Sequence, residues 1–325
     1  MKYTVSDGKA WAREKLVGQW TTMMTPFTAK DELDEPGLAA NIEHVLRLGT
    51  KGMGFSWNMG EFWSLSRAER LRLMEIVPPM VRGRALTAFQ VTDTSAKEVV
   101  ALARKARELE YDFVILAAPY IMTRTEEQVL DFVRRVAEPI EIGIAFYNSP
   151  QFGITLSAKA LARMADLPNL IAIKEASFNP QISIDTHLQA GAKAVVSVPD
   201  EEIFFFEPFY GFHQQVMFAN TSDWRFDTAD SHDYVRFIDL ATQGHLDEAR
   251  RLYPKIWPIK NLSRRWWGRL VARTGGALPV QMVKYWGELM GMKGGHVRPP
   301  LLPLTPEERA ELQRDLAQLR SVAKV

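Results

Sequence analysis

Short runs of apolar and β-branched residues recur along the chain at 19–24, 52–56, 85–91, 113–119, 142–148, 171–176, 194–199 and 215–220, each followed by a longer helix-like stretch. Parallel strands are joined by crossovers, so this alternation is how βα units read. Eight such units in about 220 residues match a closed (β/α)8 barrel, a fold of ~250 residues. The expected class is therefore α/β, a (β/α)8 TIM barrel. An open doubly wound sheet would want a phosphate-binding fingerprint after the first strand. The chain offers only Gly52-Met53-Gly54, with no third glycine in register.

Helix signals fill the gaps between the runs. Ser66-Arg67-Ala68-Glu69 is a capping box that opens a helix toward Val77, and Pro78-Pro79 predicts its stop. Thr125-Glu126-Glu127-Gln128 opens another in the same way. Beyond Asn220 the strand signal ends, and segments 229–243, 246–260, 278–291 and 305–322 carry a helical period. The expected organisation is a barrel over residues 1–225 that carries the active site. A C-terminal helical appendage, 226–325, packs on it without an intervening linker.

Composition removes several function classes. Forty Lys and Arg against 39 Asp and Glu leave a net charge of +1, whereas a nucleic-acid binder gathers a basic excess on one face. The absence of cysteine excludes disulfides, thiolate metal sites and a cysteine nucleophile. His44, His187, His213, His232, His245 and His296 show no zinc spacing, and no Gly-x-Ser-x-Gly elbow is present. Neither a metal nor an organic cofactor is expected. Arg264-Arg265-Trp266-Trp267 reads as a helix face or a subunit contact. No run approaches the ~18 apolar residues of a membrane span, and Met1 to Lys15 is polar. The expectation is a soluble cytoplasmic enzyme without membrane or nucleic-acid partners.

In such a barrel the chemistry comes from the C-terminal ends of the strands. Lys174 stands out there, within Ile171-Ala172-Ile173-Lys174-Glu175-Ala176. Alternation puts Ala172, Lys174 and Ala176 on one face. If that face is the interior, burial lowers the amine's pKa and leaves it able to attack a carbonyl. A lysine paired with a buried carboxylate would give the same sequence. Tyr147 ends the preceding strand and can either shuttle protons or plug the core.

The chain resembles the dihydrodipicolinate synthase / N-acetylneuraminate lyase family of lysine-dependent (class I) aldolases over nearly its whole length. The resemblance rests on Thr25-Pro26-Phe27, Gly60-Glu61, Leu65-Ser66-x-x-Glu69-Arg70, Tyr147-Asn148-x-Pro150 and Ile173-Lys174-Glu175-Ala176-Ser177. It continues with Pro279-Val280-x-x-Val283-Lys284, Gly291 and Arg298-Pro299-Pro300-Leu301. It implies a barrel, commonly a homotetramer, whose lysine forms a Schiff base with pyruvate or another 2-keto acid. In that reading Lys174 is the nucleophile and Tyr147 the proton shuttle. The backbone at Asn58 and Met59 receives the carboxylate, and Ser177, Asp200 and Asn220 contact the rest of the substrate.

Departures from the family pattern narrow the substrate. Asn58 and Met59 stand where the family usually has two hydroxyl residues. Tyr120-Ile121 lacks the second tyrosine, and the synthase's substrate-binding arginine falls near Phe152. These three changes speak against a true dihydrodipicolinate synthase. Asp200-Glu201 resembles the lyase subgroup's pair for sugar hydroxyls, while Trp57, Trp63, Phe152 and 204–206 make an aromatic rim. The sequence thus points to a class I aldolase-type lyase acting on a pyruvate-like 2-keto acid, as a dimer or tetramer. Its alternatives are a keto-deoxy sugar acid dehydratase, a hydratase-aldolase of benzylidenepyruvates, and a non-catalytic 2-keto-acid-binding barrel.

Overall fold

All eight apolar runs become strands, in a computed structural model that describes residues 3–81, 83–218 and 221–322. They are β1 (Gly18–Thr22), β2 (Gly52–Phe55), β3 (Leu86–Gln90), β4 (Phe113–Ala117), β5 (Ile144–Asn148), β6 (Leu170–Glu175), β7 (Val195–Ser197) and β8 (Val216–Phe218). From β1 to β7 each pairs in parallel with the next, and β8 pairs with β1, giving the order β7-β6-β5-β4-β3-β2-β1-β8. Among the described residues no backbone ladder joins β7 to β8. Side chains close that seam: Ser197 Oγ accepts the Phe218 amide at 2.8 Å, and Gln214 Oε1 accepts the Val198 amide at 2.7 Å. Every strand residue is buried except half-buried Leu86. Helices cover the outside and side chains fill the inside, so the strands read as continuous apolar runs.

The interior is filled by large residues set against small ones. Trp20 pairs in register with Gly52, where an added Cβ would lie 2.3 Å from its indole. The same atom at Gly54 would lie 2.7 Å from the Trp57 indole. Two glycines on one strand therefore make room for two tryptophans inside the barrel. Trp20, Phe113 and Phe218 pack with ring centroids 5.2–5.9 Å apart and form one such layer.

Both capping boxes form. The Ser66 and Glu69 side chains each accept the other's amide, and Thr125 and Gln128 do likewise. Pro78 and Pro79 do not stop their helix, which runs Arg67–Val81. A proline at 78 cannot donate to the carbonyl of residue 74, and Tyr111 Oη supplies the missing donor at 3.1 Å. The expected segment 246–260 extends to a helix over Leu246–Arg273 that contains Pro254 and Pro258. The carbonyls freed there belong to exposed Arg250 and Pro254, where they are open to solvent. Helices over Asp233–Thr242, Val280–Leu289 and Pro306–Val322 complete the C-terminal part. The helix Gly8–Lys15, without a strong sequence signal, precedes β1. Among the described residues no helix is long and apolar enough to cross a membrane.

Candidate active site

The register pairs Tyr147 on β5 with Lys174 on β6, and Lys174 with Ser197 on β7. Paired residues of parallel strands project to the same side, so all three project into the barrel. Lys174 is only 2% exposed. Its Nζ lies 4.3 Å from the Trp57 ring centroid and 5.0 Å from that of Tyr147. Burial lowers its pKa from 10.5 to about 7. Aromatic faces favour the charged amine by roughly 0.5–2 kcal/mol each. Burial outweighs them, because an ammonium stripped of water loses several kcal/mol.

Tyr147 is also buried, and burial drives its phenol up to about 12, with Ser149 opposing the shift. The phenol therefore stays protonated at neutral pH and can donate. Ser149 is the unspecified position of the Tyr-Asn-x-Pro pattern, so sequence reading passed over the hydroxyl that acts on this phenol. Asn148 faces the other way. It brackets the following loop by accepting the Leu156 amide at 2.9 Å and donating to the Leu156 carbonyl at 3.1 Å. It also reaches Glu175 Oε1 at 3.4 Å. Glu175 accepts the Ser177 amide at 2.8 Å and the Ser183 hydroxyl, which fixes the turn after β6.

The turn after β2 is a tight helical bend over Asn58–Gly60. The amides of Gly60 and Glu61 close it on the carbonyls of Trp57 and Asn58, at 2.7 and 3.1 Å. The amides of Asn58 and Met59 open the bend, where a helix supplies no acceptor of its own. Around this turn Ser56 Oγ, Trp57 Nε1, Asn58 Oδ1 and both polar atoms of Gln90 are buried without a hydrogen-bond partner among the described residues. Buried polar atoms are nearly always paired in native proteins, so this set leaves donors and acceptors open to water or to a bound group.

The conserved-looking pieces of the sequence pattern meet in one knot beside the turn. Glu61 is fully buried and pairs with Lys284 Nζ at 2.7 Å, while its other oxygen accepts the Arg298 amide at 3.0 Å. Lys284 also donates to the carbonyls of Thr25 and His296. Arg298 pairs with Glu69 at 2.7 Å and Asp31 at 2.8 Å, and its guanidinium lies 4.0 Å from the Phe27 ring centroid. Lys284 on the helix Val280–Leu289 and Arg298 in the loop after it thus clamp the turn that presents Asn58 and Met59.

A cavity of about 630 Å³ opens at Glu175 and Ala176, immediately after Lys174, and reaches the C-terminal helix Leu246–Arg273. Asp200 lies on its wall. Ser177 builds the turn, its Oγ accepting the Asn179 amide at 3.1 Å, and Asn220 lies outside the described residues. The carboxylates of Asp200, Glu201 and Glu202 fall within 4.8 Å of one another, and the Lys260 ammonium sits among them. It contacts Glu201, Glu202 at 2.6 Å and Asp200 at 3.5 Å. Glu201 further accepts from Tyr234 Oη at 2.9 Å. The acidic pair expected to hold sugar hydroxyls is therefore engaged by Lys260, a residue that sequence reading left unassigned. Of the expected aromatic rim, Trp57, Phe152 and Phe204 are core residues and Phe206 is exposed.

A closed parallel barrel with a buried amine beside a phenol at its carboxyl end is the framework of an enzyme that works through a lysine. The chain belongs to the dihydrodipicolinate synthetase family, whose model matches residues 15–319. It is 29% identical over 297 residues to 4-hydroxy-tetrahydrodipicolinate synthase of Pelobacter propionicus, covering 91% of this chain and 96% of that one. It is 26% identical over 306 residues to the Bacillus subtilis enzyme of the same name, covering 92% and 98%. Among solved structures it is similar to YagE, a protein of the same family from E. coli in complex with pyruvate. That match has a TM-score of 0.79 at 24% identity and covers 94% and 98% of the two chains. The structure from Thermotoga maritima gives 0.78 at 20% identity, covering 94% and 99%. The family, the barrel and the assignment to its aldolase-type lyases agree with the sequence reading.

Proposed function

We propose that the protein is a class I aldolase-type lyase in which Lys174 forms an imine with pyruvate or another 2-keto acid. The observation that carries this reading is the buried Lys174 amine, pulled down to about 7 and set beside Tyr147. The free amine attacks the keto carbon and water leaves. The resulting protonated imine withdraws electrons and stabilises a carbanion on the neighbouring carbon, so that a C–C bond can form or break there. Tyr147 serves as general acid and base, with Ser149 as its hydroxyl neighbour. The Asn58 and Met59 amides receive the carboxylate, among the unpaired atoms of Ser56, Trp57 and Gln90. Asp200 stands beside the remainder of the substrate, with Ser177 shaping the loop and Asn220 following β8.

A pyruvate complex of a fold relative supports the keto acid. A cytoplasmic homo-oligomer, dimer or tetramer, belongs to the same reading, with exposed Ile121 and Met122 after β4 as candidate contacts. Within the reading, cleavage of an apolar-bodied donor is favoured over dehydration of a sugar acid. Lys260 occupies Glu201 and Glu202, and Phe178, Phe206, Phe226 and Trp267 face the cavity. Pyruvate with borohydride tests the imine. Reduction should leave a stable mass increment on Lys174 that Lys174→Ala lacks, and no adduct on the native protein would refute the proposal. An adduct without release of pyruvate from any aldol donor would turn the reading to a keto-acid-binding barrel.

A further inference from the structure

The cations around the cavity are not all paired with a carboxylate in contact. Lys260 spends its ammonium on three carboxylates, and Arg264 reaches Glu202 at 2.7 Å. Arg225, on the short helix Ser222–Phe226 after β8, is different. Its side chain is buried, the residue being 3% exposed, and it lines the cavity. No carboxylate among the described residues lies within ion-pair distance of it. Nε donates to Thr221 Oγ1 at 2.7 Å and Nη1 to Ser263 Oγ, both neutral acceptors. Nη2 has no hydrogen-bond partner among the described residues. The rings of Phe226, Trp267 and Trp286 lie 5.1–5.9 Å from its guanidinium carbon.

Glu201 and Asp223 attract the guanidinium only from beyond ion-pair distance. A buried fork without a carboxylate in contact is costly to keep, and it becomes favourable when an anion arrives with matching geometry. The hydroxyls of Thr221 and Ser263 hold it in one orientation, and three rings pack around it. Phe226 and Trp267 also line the cavity beside it. We propose that Arg225 is an anion receptor that sets specificity for the half of the substrate beyond the imine. It would favour a carbonyl partner with an apolar, ring-sized body and a carboxylate at its far end. This rests on the cavity being the extension of the Lys174 site through Glu175 and Ala176. The anion preference itself can be measured without turnover.

The full-length protein is titrated calorimetrically with 4-methylbenzoate and with its neutral isostere 4-methylbenzamide. A charge-assisted bond to a desolvated fork should make the benzoate bind about 10- to 100-fold more tightly. Arg225→Gln should bring the ratio to about one, Arg225→Lys should keep part of it, and Arg264→Gln should leave it unchanged. Equal binding of the two ligands by the native protein overturns the proposal, and so does a ratio that survives in Arg225→Gln. A ratio abolished by Arg264→Gln moves the receptor to that residue and overturns it as well. Should Arg225→Gln not fold, the native ratio and the Arg225→Lys ratio decide. Trapping of pyruvate by borohydride, run on the same samples, should be unchanged in Arg225→Gln. Loss of trapping in the native protein with the anion ratio intact refutes the imine and leaves the receptor standing.

Discussion

Replacing Lys174 by Met removes the amine but keeps an unbranched chain inside the barrel, and its clearest readout is stability against pH. The amine titrates at 10.5 when unfolded and at about 7 when folded. Between these values the unfolded chain holds more protons than the native one, so native stability rises with pH across that window. Below pH 7 both states are protonated and the full cost of the buried charge, about 5 kcal/mol, is present. Above 10.5 it is gone. Between pH 7 and pH 9 the linkage relation gives a gain of about 2 kcal/mol for the native protein that Lys174→Met cannot show. Urea unfolding of both proteins at half-unit steps of pH measures the difference, because every other titrating group cancels between them. The same amine is about half free at pH 7, against about one part in 3,000 without the shift, so trapping by pyruvate and borohydride should rise through pH 7 and level off. Parallel stability curves for the two proteins would refute the reasoning, since they would mean an amine that titrates as in water.

Tyr147→Phe should leave pyruvate trapping within a few-fold of native while cutting aldol turnover by about 10²- to 10⁴-fold, read as pyruvate release, because a proton carrier is lost and the imine is not. Glu61→Gln leaves Lys284 buried without its carboxylate and should cost about 3–5 kcal/mol by urea unfolding, more than a surface pair such as Arg134 with Asp131. Gly54→Ala drives a methyl group into the Trp57 indole, 2.7 Å from an ideal Cβ. It should destabilise by about 1–3 kcal/mol and slow trapping at Lys174, which that indole faces, whereas Gly83→Ala, with nothing within 4 Å of its Cβ, should leave trapping intact.

The barrel was legible because parallel strands buried on both sides must be apolar throughout, and eight such runs without a phosphate-binding fingerprint favour closure over an open sheet. Lys174 and Tyr147 stood out as candidates because they are polar ends of apolar strands, yet only the fold shows that both side chains are buried together. The Pro78-Pro79 stop was misplaced because the donor that relieves it, Tyr111, lies one strand and one helix further on and leaves no local trace. The helix Leu246–Arg273 was read short for a similar reason: tolerance of its prolines depends on which carbonyls face water. Lys260 and Arg225 lay hidden among helix residues of ordinary composition. Their roles come from the cavity between barrel and appendage, which only the tertiary arrangement creates. The Gly60-Glu61 and Lys284 motifs were recognised as pattern, yet their meaning, one clamp, required seeing them 2.7 Å apart.

That clamp sets an order of events during synthesis. The bend that offers Asn58 and Met59 is among the first parts of the barrel to leave the ribosome, while Lys284 and the Arg298 amide follow Glu61 by 223 and 237 residues. Until they emerge, Glu61 has neither its counter-charge nor its amide donor. The nascent barrel can gather its strands early, but its proposed keto-acid cradle is fastened only once these two residues have emerged, so a ribosome stalled before residue 284 should hold a folded cylinder that does not react with pyruvate.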